Sequence, residues 1–201
     1  MKKVILMVLL NIFVQCQSQK NIKTMIPTID NKFENFNQDY FDKNSVRGSL
    51  IRKKDNVTIL EDKQSYGFIK QVFKNDIFCH NFLYYQNGNI KEKGINLNNG
   101  AVIGIWYYFD ESGKLTKEEN TDEGYDFKPE DIIKYCEKNK INLPKGYQDS
   151  GYQTRVLKVE IEGKKAWRIS YQIAGDKIKE IILDGKTGKE LEKKVVPFYN
   201  P

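Results

Sequence analysis

The side chains that most often carry catalysis are sparse in this chain of 201 residues. His80 is the single histidine and directly follows Cys79, while Ser150 stands far from both in an Asp-Ser-Gly sequence. Consecutive residues of a strand point to opposite faces, so Cys79 and His80 do not form a thiol–imidazole pair by adjacency. Gln148 replaces the glycine expected two residues before a serine nucleophile, and no strand–turn–helix pattern surrounds it. The sequence therefore predicts a protein without catalytic residues.

Recognisable patterns for binding a metal or a phosphate are also missing. Asp122, Glu123 and Asp126 offer oxygen ligands for calcium, but their spacing matches no calcium loop, and a solvated loop is the simpler interpretation. The cysteines lack Cys-x-x-Cys spacing, which leaves a structural zinc site without ligands. Residues 186–188 lack the glycine-rich loop and following helix of a phosphate-binding loop. We expect neither a metal nor another cofactor.

The N-terminus has the composition of an export signal. Lys2 and Lys3 precede an apolar run over residues 4–14, which is shorter than the roughly 20 residues of a transmembrane helix. Cys16 follows this run, and the arrangement resembles a bacterial lipoprotein signal. The resemblance implies that Cys16 is the lipid-attachment residue. Cleavage by an ordinary signal peptidase after Ser18 is the alternative.

Lipidation at Cys16 implies a location in the bacterial cell envelope. Gln17 would be the second mature residue, where an Asp would point to inner-membrane retention, so the resemblance implies an anchor in the outer membrane. Residues 17–29 are interpreted as a tether that follows the signal peptide of residues 1–16. Cys79 and Cys136 remain in an oxidising compartment, where they either form a disulfide or stay as buried free thiols.

The charge pattern argues against nucleic-acid binding. The net charge of +6 falls by two when Lys2 and Lys3 leave with the signal. The remaining positive charges alternate with acidic residues, as in residues 114–119, whereas a nucleic-acid footprint is a stripe of one sign. The expected partners are therefore the membrane, through the lipid, and a protein or a peptide.

The middle of the chain is predicted to be an aromatic β-meander. Apolar runs over residues 82–85 and 105–109 end in turn sequences at Asn87-Gly88 and at residues 110–113, and residues 98–100 form another turn. The segment resembles the MORN-type repeat of bacterial envelope proteins, which implies stacked hairpins that serve as a scaffold or a binding face. The resemblance rests on Tyr84, Tyr85, Gly88, Ile90, Gly94, Gly104, Trp106, Tyr107, Tyr108, Gly113 and Leu115.

Before the meander, the pattern is less regular. Aromatic residues spaced three and four apart predict a short amphipathic helix over residues 30–41, with Asp30 as its N-cap. Strands are predicted over residues 48–52 and 56–60, and the β pattern continues over residues 66–72 and 76–85.

After residue 127 the pattern changes to a helix followed by hairpins. Pro129 at the first helical position and acidic residues in the first turn predict a helix that ends at Asn139. Three strands follow, over residues 156–161, 166–173 and 178–183. This order resembles the PepSY domain, which implies a binding or inhibitory module, although the loop over residues 144–151 departs from its pattern. The matching positions are Trp167, Ile169, Ile182, Asp184, Thr187, Gly188 and Leu191.

The predicted fold class is α+β and mostly antiparallel β, with an aromatic meander followed by a helix packed on a small antiparallel sheet. The units are a β-rich MORN-like region over residues 30–121 and a PepSY-like region over residues 127–195, joined near residues 122–126. The expected function is a non-catalytic exported lipoprotein that binds a protein or peptide or acts as a scaffold. An inhibitor or immunity-type protein that neutralises an exported protease or toxin is the alternative.

The strand over residues 105–109 is unusual because both of its faces carry aromatic residues. Trp106 and Tyr108 share the face opposite to Tyr107, whereas the outer face of a half-solvated strand is normally polar. Either a helix or neighbouring hairpins cover Trp106 and Tyr108, or these side chains and Tyr85 form an exposed binding patch. Trp and Tyr frequently anchor interfaces, so Trp106, Tyr108 and Tyr85 are the candidate binding residues.

Overall fold

The computed structural model describes residues 26–98 and 100–198. Cys16, the predicted signal peptide and most of the predicted tether lie outside these residues. The described chain forms two antiparallel sheets and two helices, which confirms the predicted α+β class. The elements are β1 (Ser49–Lys54), β2 (Val57–Gln64), β3 (Gly67–Phe73), β4 (Phe78–Tyr84), β5 (Ile90–Leu97), β6 (Val102–Phe109), β7 (Leu115–Asn120), β8 (Arg155–Ile161), β9 (Lys164–Ile173), β10 (Lys177–Asp184), β11 (Glu190–Pro197), α1 (Gln38–Asn44) and α2 (Pro129–Lys138).

The first seven strands form one meander in which each strand pairs with the next along the chain. The predicted turn sequences lie between strands, with Gly88 joining β4 to β5 and Gly113 joining β6 to β7. Both glycines have left-handed backbone angles, with φ of 84° and 86°, which side chains rarely adopt. The turns at Gly88 and Gly113 share the same pattern of backbone hydrogen bonds and lie at the same end of the sheet.

The predicted helix over residues 30–41 is wrong, because α1 begins at Gln38 and its N-cap is Asn37. Residues 26–37, which we call the strap, contain no helix and pack against the large sheet. Phe36 N donates to Gly88 O at 2.8 Å, and Ile90 N donates to Glu34 O at 3.1 Å. These bonds tie the strap backbone to the β4–β5 turn and so compete with a helix.

The four-stranded sheet has the order β11-β10-β9-β8, and the three predicted strands are confirmed. A fourth strand, β11, follows these three and was not among the predicted strands. The predicted helix is confirmed as α2, with Pro129 in its first turn and Asn139 as its C-cap. The Asp131 carboxylate accepts a hydrogen bond from Lys128 N at 3.2 Å, which satisfies a free donor at the helix start.

One hydrophobic cluster joins the two sheets. Ile95 and Ile103 of the large sheet pack in the same cluster as Trp167 of the small sheet and Ile132 of α2. Strand register places this cluster on the face of the large sheet that also carries Tyr84 and the second, aromatic cluster under α1. We call this side the inner face and the opposite side the outer face.

The segment between the two predicted units is part of the shared core. Tyr125 is only 4% exposed and packs on Trp167 with ring centroids 4.9 Å apart. Asp122 accepts a hydrogen bond from Gly104 N at 2.9 Å and pairs with Lys158 at 2.6 Å. Residues 122–126 therefore link the sheets by packing and by an ion pair.

Candidate binding site

Trp106 lies on the outer face of the large sheet but is only 9% exposed. Its indole Nε1 donates to Ile95 O at 3.3 Å. The ring lies over Gly94, in the space that a β-carbon at that position would occupy. α2 packs on the inner face and does not cover the ring, so the absence of a side chain at Gly94 is what buries it. The structure favours the covered alternative for Trp106.

Tyr108 and Tyr85 are half-buried and engaged within the chain. The Tyr108 hydroxyl donates to Glu119 at 2.9 Å, and Lys117 Nζ lies 5.1 Å from its ring centroid. Burial raises the pKa of Tyr108 to about 12. The Tyr85 hydroxyl donates to Phe109 O at 2.8 Å, which braces one hairpin against the next. These contacts give both tyrosines a structural role at the predicted site.

The residues considered for nucleophilic chemistry lie apart or are held protonated. Cys79 and Cys136 are free and buried, and burial raises the pKa of each thiol to about 12. Such thiols stay protonated at neutral pH and are poor nucleophiles. Burial also lowers the pKa of His80, whose Nδ1 is buried without a hydrogen-bond partner in the described chain. Ser150 lies in an exposed loop.

A cleft of about 530 Å³ opens where the end of α2 meets the turn between β3 and β4. The volume lies within the roughly 300–1,000 Å³ of small-molecule pockets. Its apolar lining comes from three parts of the chain, namely the β3–β4 turn, α2 and the segment after α2. These residues are Ile77, Phe78, Ile133, Cys136, Ile141 and Leu143.

The loop that follows α2 forms one wall of the cleft. Gly146 N donates to Asp76 O at 2.8 Å, and Asn98 Nδ2 donates to Gly146 O at 2.8 Å. The Tyr147 ring packs on Phe73 with centroids 5.4 Å apart. The loop over residues 144–151 therefore reaches the large sheet and forms a cleft wall.

Charged residues of both signs surround the apolar floor. Glu137, Lys140 and Lys145 line the cleft and are exposed. Within residues 26–98 and 100–198, none of these three side chains forms an ion pair. An apolar floor with charged groups at its edge suits a segment that inserts apolar side chains and contacts the rim with polar groups.

Sequence reasoning missed a buried charged centre on the inner face. The Lys93 side chain is 2% exposed, and its Nζ donates to Glu34 at 2.9 Å, Asp30 at 3.1 Å and Lys32 O at 2.6 Å. Glu34 also accepts from the Tyr84 hydroxyl at 3.2 Å. The side-chain alternation of β5 places Lys93 on the inner face, and this was the one signal available in the sequence. It did not identify Asp30, Lys32 and Glu34 as the partners of Lys93.

The described chain contains no group of three acidic, histidine or cysteine side chains arranged to hold a metal ion. Neither α1 nor α2 is long and apolar enough to cross a membrane. Compared with protein-family models, with curated proteins and with solved structures, the chain gives no match.

Proposed function

We propose that the chain is a non-catalytic, lipid-anchored module of the bacterial cell envelope that binds a protein or a peptide in the cleft beside α2. The observation that carries the proposal is the apolar floor of this cleft, built from the β3–β4 turn, α2 and the segment after α2 and surrounded by charged side chains. Pockets of this kind form preferentially where structural units meet. The raised pKa values of the Cys79 and Cys136 thiols support binding rather than covalent chemistry.

Attachment to the envelope rests on the sequence before the described residues. The basic residues, the apolar run and Cys16 support lipidation. Replacing Cys16 with Ser should move the mature protein from the membrane fraction to the soluble fraction. A Cys16→Ser protein that stays in the membrane fraction at the wild-type level would contradict lipidation.

Binding in the cleft is tested with a change at its wall. Leu143→Lys places a charge among the apolar lining residues. Leu191→Lys is the matched control, because Leu191 is 53% exposed on β11 and does not line the cleft. The tethered wild type and the control should capture one stoichiometric partner from native envelope extract, and Leu143→Lys should lose it.

The melting temperature of each variant accompanies the capture experiment, so that loss of the partner is not confused with loss of the fold. Equal capture by Leu143→Lys and the wild type would remove the cleft as the binding site. If the wild type captures no stoichiometric partner, the proposal that the chain binds a protein or peptide is wrong.

A further inference from the structure

The small sheet ends at β11, which has one free edge. In the part of the chain that the structure describes, β11 pairs with β10 alone. Phe198 N donates to Asp176 O at 2.9 Å, and the register runs without a shift through residues 192–197. Since alternate residues of an antiparallel strand bond to the same neighbour, Lys193 and Val195 direct their N–H and C=O groups away from β10. Unpaired backbone groups in such a row are a template for one more strand.

β11 also carries exposed apolar side chains. Leu191, at the bulge where β11 has one residue more than β10, is 53% exposed, and Val195 is 52% exposed. Among the described strands at sheet edges, no other exposes two large apolar residues, because β1 exposes Ile51 and neither β7 nor β8 exposes any. Contact with another chain at this edge would remove both side chains from water, which favours association.

Charged residues lie between these two apolar residues. Glu192 and Lys194 are two residues apart, so they lie on the same side of the sheet, and both side chains are about half exposed. Lys193 lies on the other side and pairs with Glu190 of its own chain at 3.4 Å. When residues 191–195 are paired with the same segment in the reverse direction, apolar residues lie opposite apolar residues and acidic opposite basic. The segment is therefore complementary to itself.

We propose that two copies of the chain associate through β11, with the two strands antiparallel about a two-fold axis at Lys193. Glu192 of each copy then lies opposite Lys194 of the second copy, and Leu191 lies opposite Val195. The two Lys193 residues face each other and exchange two backbone hydrogen bonds. The two small sheets become one continuous sheet, and the contact closes after two copies because both use the same edge.

The charges select this register among the two-fold registers. An axis at Glu192 or at Lys194 sets two like charges directly opposite each other, which is destabilising. An axis at Val195 leaves both charged residues without an opposite charge across the strands. In the proposed register the one like-charge contact is between the two Lys193 side chains, and each of them has Glu190 as a partner in its own chain. An interface of one strand from each copy is small, so we expect a weak dimer.

Cysteine cross-linking tests the register directly. Each variant is made in the full chain with Cys16→Ser, and the native Cys79 and Cys136 are buried. Lys193→Cys places two thiols on facing residues whose Cα atoms lie about 5.5 Å apart, which suits a disulfide. Val195→Cys is the matched control on the same side of β11, because its counterpart in the second copy lies roughly 14 Å away along the strands. Under mild oxidation Lys193→Cys should form a covalent dimer, and Val195→Cys should form far less.

Charge reversal tests the same register without a covalent bond. Glu192→Lys and Lys194→Glu each set like charges opposite each other in both symmetric pairs, so each should weaken dimerisation about tenfold in sedimentation experiments. An equal mixture of the two variants restores opposite charges in both pairs, and association should return in the mixture. Both side chains are about half exposed, so the melting temperatures should match that of the wild type and show that the fold is intact.

The proposal does not depend on the cleft or its partner. Leu143→Lys, which changes the cleft, should dimerise like the wild type. Leu191→Lys should weaken the dimer and still capture the cleft partner. A monomeric wild type at all concentrations, or cross-linking of Lys193→Cys no greater than that of Val195→Cys, would overturn the proposal. Wild-type association by both charge-reversal variants, or no recovery in their mixture, would overturn it as well.

Discussion

Removal of the Trp106 ring tests whether this residue stabilises the fold or serves as an exposed anchor. The side chain is 9% exposed and donates one hydrogen bond to Ile95 O. Truncating a buried Trp to Ala costs about 3–5 kcal/mol, because the lost transfer energy adds to the cavity left behind. In a chain of this size each kcal/mol lowers the melting temperature by about 2–4 °C, so Trp106→Ala should lower it by roughly 6–20 °C.

Gly94→Ala gives the complementary perturbation, because a β-carbon at this position would overlap the indole ring. The backbone angle of Gly94 lies outside the left-handed region, so alanine itself is permitted there. Overpacking of this kind typically costs about 1–3 kcal/mol. In the Trp106→Ala background the ring is gone, and the added methyl group should cost little or even fill part of the cavity.

Urea unfolding followed by circular dichroism measures the free energy of unfolding for the wild type, both single variants and the double variant. We expect the double variant to be about 1–3 kcal/mol more stable than the sum of the single losses predicts. A loss below about 1 kcal/mol for Trp106→Ala would refute burial of the ring and favour an exposed anchor. Strict additivity would refute the contact between the ring and Gly94.

Three other outcomes follow from the structure. Cys79 and Cys136, whose pKa values are raised to about 12, should not react with a thiol reagent until the protein is unfolded, and fast reaction of the native protein would contradict their burial. The hydrogen bond from Lys93 lowers the pKa of the Asp30 carboxyl in the folded protein. The stability that this bond gives the fold is therefore fully present above the unfolded pKa of about 3.9, and it is lost as pH falls through the lower pKa of the folded state. The stability difference between wild type and Lys93→Met in urea should therefore shrink as pH falls below about 4, and a constant difference would contradict the ion pair. A protease of broad specificity should cut first in the exposed residues 148–151, whereas a first cut in residues 122–126 would contradict the packing of Tyr125.

Local chemistry explains why the strand order was accessible from the sequence. Turn residues such as Asn87-Gly88 mark the hairpins, and side-chain alternation marks the strands between them. In a meander each strand pairs with its neighbour along the chain, so local signals are enough to specify the topology. Pro129 and the acidic first turn likewise locate α2.

The contacts that build the candidate sites connect distant parts of the chain and leave no local signal. Lys93 and Asp30 are separated by 63 residues, so the pattern around each one gives no hint of the other. The same holds for Asn98, whose side chain holds the loop at Gly146 and thereby shapes the cleft. The local spacing predicted Asp30 as a helix N-cap. In the structure its carboxylate instead pairs with the buried Lys93.

Three of the glycines that carried the resemblances to the MORN-type repeat and the PepSY domain have a packing role in this fold. In each case an aromatic ring occupies the place of the missing side chain, and the pairs are Trp106 on Gly94, Phe33 on Gly113 and Phe127 on Gly188. A glycine–aromatic pattern can therefore arise from packing alone, without selection for a ligand. The cleft that is proposed to bind a partner lies elsewhere, and the loop over residues 144–151 forms one of its walls. A variant at Leu143, which lines the cleft, thus probes function more directly than variants at these glycines.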